Sequence, residues 1–206
     1  MNRKLTTNMK AKKVPPKKQQ IITAADTLFN QFGFKKVTVE EICQTAGVSK
    51  MTFYKYFANK NELIKYLWQE IMEDSMAKLD ALDKTGATFR EKVRMILKLK
   101  AEATTAMGDQ YIKDYLDAVP ELQDFYNQML TNVMQWFIKI IQQAQEKGEV
   151  RKSIRPEFFL AVVNQLLELA KNEQLMALYD NYTEFALEVN NFMYFGLMPV
   201  PDEDKK

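Results

Sequence analysis

Among its 206 residues the chain has no histidine and a single cysteine, Cys43. The first absence excludes imidazole general bases and His-ligated zinc. The second excludes an internal disulfide and a thiolate metal site, and fits a reducing compartment. Glycine and proline are scarce, six of each, and no Gly-rich phosphate loop is present. No apolar run approaches the roughly 18 residues of a membrane span; the run from Phe158 to Val163 is far too short. The basic N-terminus is not followed by the apolar stretch of a secretory signal. Carboxylates and lysines remain, but no pair of them falls in a recognisable catalytic arrangement. The expectation is a cytoplasmic chain with no catalytic site, no cofactor, no metal and no membrane contact.

Hydrophobic residues make up 47% of the chain, enough to bury a real core. Abundant Leu, Met, Lys, Glu and Gln, with few alternating β-branched runs, predict an all-α fold. Charge is divided along the chain. Residues 1–60 hold 12 Lys and Arg against 3 Asp and Glu, a net +9, whereas the remainder holds 17 against 24, a net −7. A basic head on an acidic body is the distribution that phosphate neutralisation requires.

The pattern of apolar positions and breakers predicts about nine helices. Residues 1–16, rich in Lys, Asn and Thr and ending in Pro15-Pro16, read as a disordered basic arm. A first helix over 17–32 places Ile21, Ala25, Leu28 and Phe32 on one face, and Gly33 ends it. Thr38 and Glu41 have capping-box spacing at the start of a second helix. Ile42, Cys43 and Ala46 face inward, and Gly47 turns the chain. Ser49 caps a third helix to about Tyr56, with Val48, Phe53 and Phe57 toward the core. Asn59 and Glu62 repeat the cap pattern and open a fourth helix over 60–82, which at 1.5 Å per residue is a strut of about 33 Å. Further helices are expected over 88–104, 109–118, 120–147, 156–172 and 182–197, with Pro120 at a first helical position and Gly148 as a stop. Three domains follow: the arm at 1–16, a helix-turn-helix head at 17–62 and a helical body at 63–200.

Two short helices about a Gly turn, inside a basic segment, point to a helix-turn-helix that docks on DNA. The run TVEEICQTAGVSKMTFYKYFANKNEL carries a more specific likeness. Thr38, Ile42-Cys43, Ala46-Gly47-Val48-Ser49, Tyr54-Lys55-Tyr56-Phe57 and Lys60-Asn61-Glu62-Leu63 together resemble the DNA-binding signature of TetR-family transcriptional regulators. The resemblance covers about residues 17–65; beyond it only helix count and lengths agree. It implies a homodimer whose third helices enter successive major grooves, usually as a repressor that a small molecule bound in the body releases from DNA. Met51 stands where the family often has Gly, and Tyr56 where it commonly has His, so no known operator transfers. A second reading keeps the fold but has it act as a co-regulator through a protein partner.

The candidate DNA contacts are Thr38, Lys50, Met51, Thr52, Tyr54, Lys55, Tyr56 and Lys60. Lys50, Met51 and Thr52 form the first turn of the recognition helix, where side chains reach base edges. Lysine donates to guanine O6 and N7, and Met51 or the Thr52 methyl suits a thymine methyl. Tyr54, Tyr56 and Lys55 suit the groove wall, with packing or solvation as the alternative role. Thr38 and Lys60 lie at helix N-termini, which favour phosphate. Lys10, Lys12 and Lys13 of the arm are candidates for a minor groove. In the body, Trp68, Met72, Tyr111, Tyr115, Phe125, Met129, Trp136 and Phe137 are candidate lining for an effector pocket, since Met and aromatic residues suit an adaptable apolar cavity; plain core is the alternative for each. The helices over 156–172 and 182–197 carry more apolar surface than a peripheral pair needs. They are the expected homodimer interface, as a four-helix bundle across a two-fold axis.

Overall fold

The computed structural model describes residues 14–117 and 120–197. The basic arm with Lys10, Lys12 and Lys13 lies outside them, as do the side chains of Val163 and Leu167 and the packing expected of Gly196. Ten helices and no strand are found among the described residues: α1 (Pro16–Phe32), α2 (Val39–Ala46), α3 (Lys50–Tyr56), α4 (Lys60–Asp83), α5 (Phe89–Ala106), α6 (Asp109–Leu116), α7 (Pro120–Glu146), α8 (Pro156–Leu169), α9 (Glu173–Met176) and α10 (Tyr182–Leu197). The all-α expectation holds. The helix not foreseen is α9, a single turn that Asn172 caps by accepting the Leu175 N–H at 3.0 Å. Four residues are too few to show a helical period.

The chain forms two compact units. The first comprises the residues up to Lys78 together with Glu102–Phe125, and the second comprises Leu79–Ala101 with Tyr126 onward. The division falls within α4, α5 and α7.

In the first unit, local signals build the head. Pro16 occupies the first turn of α1, where its missing N–H costs nothing. The buried face of α1 differs from the one its spacing suggests. Ile21, Ile22, Ala25 and Phe29 are buried, whereas Phe32 is 46% exposed. The stripe is shifted because α1 meets α6, a partner distant in sequence. Phe29 packs edge-on to Phe34 at 6.3 Å and against Tyr111 of α6 at 6.3 Å. Each such buried ring contributes about 1.5–3 kcal/mol of apolar burial. Two glycines allow this approach. A Cβ on Gly108 would lie 2.0 Å from the carbonyl oxygen of Asn30, and one on Gly33 would lie 2.6 Å from the Asp114 carboxylate.

The second unit has its own core of Phe89, Val93, Ile140, Ile141, Ala144, Val150 and Phe159. Phe137 of α7 stacks on Phe159 of α8 at 5.4 Å. Gly148, at φ 76°, ends the α7 segment as its position implied, and the Glu149 N–H returns to the Ala144 carbonyl at 2.8 Å. Buried Lys92 pairs with Asp83 at 2.5 Å, and that hydrogen bond holds the Asp83 carboxyl below its usual range.

Candidate nucleic-acid interface

Local capping sets the geometry of α2 and α3. The Thr38 hydroxyl accepts the Glu41 N–H at 3.2 Å, while Glu41 Oε2 accepts the Thr38 N–H at 2.7 Å. This completes the capping box anticipated from the sequence. The Thr38 hydroxyl also donates to Glu41 Oε2 at 2.7 Å. These bonds hold the Glu41 carboxyl below its usual range. Gly47 adopts φ 63°, ψ 40°, the left-handed conformation a tight turn needs. Ser49 caps α3 by accepting the Thr52 N–H at 3.1 Å.

With both ends fixed, α3 has two unlike faces. Phe53 and Phe57 are buried, as is Ile42 opposite them on α2. Met51 is 84% exposed and Tyr54 is 54% exposed, and Lys50 and Lys55 are exposed beside them. An exposed methionine on a short helix has nothing to pack on within the head, and this outward face contains four of the eight candidate contacts. Thr52 and Tyr56 are half-buried. The Tyr54 ring leans edge-on against Phe53 at 5.4 Å, which steadies it while the residue stays more than half exposed.

The cations divide into two groups. Seven of the twelve in residues 1–60 fall among the described residues. Lys18 lies over the Tyr66 ring at 3.8 Å and ties the start of α1 to α4; burial pushes the Tyr66 phenol up to about 12. Lys60 donates to the carbonyls of Phe34 and Val37, each at 2.7 Å, and of Lys35 at 3.3 Å. Its ammonium is therefore a clamp on the turn between α1 and α2, and only its backbone at the α4 start is left to face a phosphate. Burial lowers its pKa from the ordinary lysine value, with Asp114 and Glu41 opposing. Lys50 pairs with Glu40 of α2. Lys17, Lys35, Lys36 and Lys55 are exposed. Position along the chain does not separate these roles, and spacing rules miss Glu40, which lies ten residues from Lys50 across a turn.

The effector-pocket candidates fall in both units: Trp68, Met72, Tyr111, Tyr115 and Phe125 in the first, Met129, Trp136 and Phe137 in the second. Trp68 and Tyr111 are core. Trp68 Nε1 donates to the Tyr111 hydroxyl at 3.0 Å, and Phe34 packs on both rings at 5.9 and 5.5 Å. Tyr115 meets Trp68 edge-on at 5.0 Å. Burial drives the Tyr111 phenol far above the normal tyrosine range. Trp136 and Phe137 pack on the second unit's core. Met72, Phe125 and Met129 are half-buried. Sequence reasoning missed an open apolar depression of about 330 Å³ on α8, lined by Ala161, Val162, Gln165, Leu166 and Leu169.

The family model for bacterial regulatory proteins of the tetR family matches residues 21–67, which take in α1 from Ile21 onward, both helices of the turn motif and the start of α4. That segment is similar to the tetR family of bacterial regulatory proteins. Among curated relatives, the transcriptional regulator RutR of Escherichia coli (strain K12) is 30% identical over 122 residues, 58% of this chain. The match spans only 57% of the length of RutR. The fatty acid metabolism regulator protein of Bacillus subtilis (strain 168) is 26% identical over 142 residues, 68% of this chain and 73% of that one. The fold is shared with FadR, the fatty acid degradation regulator of Bacillus halodurans, at a TM-score of 0.69 and 22% identity, covering 89% of this chain and 97% of the other. It is also shared with Bacillus subtilis FadR solved with stearoyl-CoA, at a TM-score of 0.67 and 20% identity, covering 87% and 98%. No helix among the described residues is long and apolar enough to cross a membrane.

Proposed function

We propose that this chain is a TetR-family regulator, a homodimeric transcriptional repressor that reads a pseudo-palindromic operator through α3 and is released by a small apolar or amphipathic ligand. The outward face of α3 carries the reading: Lys50, Met51, Tyr54 and Lys55 are exposed on a helix whose opposite face is buried. In this mode Lys50 and Met51 meet base edges, Tyr54, Lys55 and Tyr56 meet the groove wall, and Thr38 and the Lys60 backbone meet phosphate. Two such helices must stand about one DNA turn apart, roughly 34–36 Å. The dimer is supported by apolar side chains left uncovered on α8 and α10, with Phe158 at 66% exposure and Phe192 at 67%. Acyl-CoA thioesters are the first ligand class to try, because a structural neighbour was solved with stearoyl-CoA. A ligand that prefers a body incompatible with that head spacing weakens operator binding, with a coupling of about 1–3 kcal/mol.

The deciding experiment is fluorescence anisotropy of the full chain on the DNA upstream of its own gene and on scrambled duplex. The first is expected to bind at least ~10³-fold more tightly. Equal binding to both, or none at moderate salt, refutes operator recognition and leaves action through a protein partner. Thermal shift with acyl-CoAs of graded length then tests the ligand class, since a ligand that binds only the native state raises the melting temperature.

A further inference from the structure

Between Thr38 and Lys60 the chain has two carboxylates, Glu40 and Glu41. Glu41 is committed to the capping box. Glu40 stands on the first turn of α2 and pairs with Lys50, the first residue of the recognition helix. Both side chains are more than half exposed, at 60% and 55%. The pair therefore lies on the surface beside Met51 and Tyr54, where the protein meets DNA under the function proposed above, on which this inference rests.

An isolated lysine on such a surface is attracted by any phosphate. That attraction is independent of sequence and follows the salt dependence of counterion release. A glutamate beside it cancels most of this attraction and is itself repelled by the backbone. The pair is then nearly neutral toward DNA in general, and an exposed pair of this kind contributes little to stability. Its value is geometric. It presents a donor and an acceptor within hydrogen-bonding distance of each other. In the major groove a G·C pair offers the complement: acceptors at guanine O6 and N7, and a donor at cytosine N4. We propose that Glu40 and Lys50 act as one unit that reads a single G·C pair in each half-site, with Lys50 donating to guanine and Glu40 accepting from cytosine N4. Glu40 is thus a specificity-determining residue, and it lies on α2 instead of on the recognition helix.

The test is selection from a random-sequence duplex pool with the full chain, its E40Q variant, its K50Q variant and the double variant, followed by binding titrations across a salt series. Glu40 is exposed and makes no cap, so E40Q folds, and circular dichroism checks that it does. The wild type is expected to select one invariant G·C pair per half-site at a common position. E40Q relaxes that position alone and lowers discrimination there by about tenfold, within the range of one bidentate base contact. It also strengthens binding to unrelated DNA and steepens the salt dependence by about one counterion per head. Once Lys50 is replaced, E40Q has no further effect on that position. If E40Q leaves the selected sequence intact, or if the two substitutions act additively on discrimination, the paired reading is overturned while operator recognition stands. If the wild type enriches no sequence, operator recognition itself fails and this inference with it.

Discussion

Two polar arrangements, one buried and one half-buried, stand out at the scale of single residues. Trp68 and Tyr111 satisfy each other inside an aromatic cluster with Phe29 and Phe34. Replacing Tyr111 with Phe keeps the ring and leaves the indole N–H without its acceptor. The expected cost is about 1–3 kcal/mol, measured by urea denaturation followed through tryptophan fluorescence; an unchanged midpoint refutes the role assigned to this bond. Because burial raises the Tyr111 phenol above its unfolded value near 10, its neutral form is the one the fold accommodates. Stability from this site is full below about pH 10 and declines as alkali ionises the unfolded chain's tyrosine. Lys60 is the second case. Three carbonyls of the α1–α2 turn depend on its ammonium, and Asp114 grips the same turn by accepting the Lys35 N–H at 2.8 Å. Lys60→Met is expected to lower stability by about 2 kcal/mol, the scale of hydrogen bonds to a charged group. It should also weaken DNA binding to every sequence alike. A variant with an unshifted thermal midpoint and reduced DNA affinity would instead mark Lys60 as a direct phosphate ligand.

Among the elements, α6 decides most about the head although little in its sequence announces it. It lies against α1 at two points where no side chain fits, Gly108 on the Asn30 carbonyl and Gly33 on Asp114 and Gln110. Gly108 has an ordinary φ of −72°, so its requirement is steric and not conformational. Gly108→Ala must move one helix off the other and is expected to cost at least ~1–3 kcal/mol, as overpacking does. Hydrogen exchange should show the loss as weakened protection in α1 and α6 together. Protection lost in α6 alone would mean the two helices do not open as a unit. The elements with local signatures were legible in advance. Thr38, Gly47 and Ser49 mark α2 and α3 because caps and tight turns depend on a few adjacent residues. The face of α1 was not legible, since its neighbour α6 selects Phe29 over Phe32.

The whole molecule raises the question of assembly. Phe158, Leu169, Leu187 and Phe192 are each at least 39% exposed on α8 and α10, and Leu169 also lines the apolar depression on α8. A charge on this face opposes burial against a second copy without disturbing either unit's core. Phe158→Glu is expected to yield a monomer by analytical ultracentrifugation, with unchanged helicity and an operator affinity reduced by ~10²-fold or more as one half-site is lost. A variant that still sediments as a dimer would place the interface elsewhere.

The amino-acid order alone determined the helical class, the helix-turn-helix and the basic head, because periodicity, caps and charge are local properties of the chain. It could not apportion roles among like residues. Which lysines face outward, which clamp a turn, and which ring is core and which is exposed depend on partners distant in sequence. Lys60, Lys18 and Lys50 are equivalent cations in the sequence, and only the folded chain supplies each with its carbonyls, its ring or its carboxylate. Tyr111 and Trp68 are likewise buried and paired only because α6 brings them within hydrogen-bonding distance. Burial and pairing are properties of a three-dimensional neighbourhood, and tertiary structure decided them.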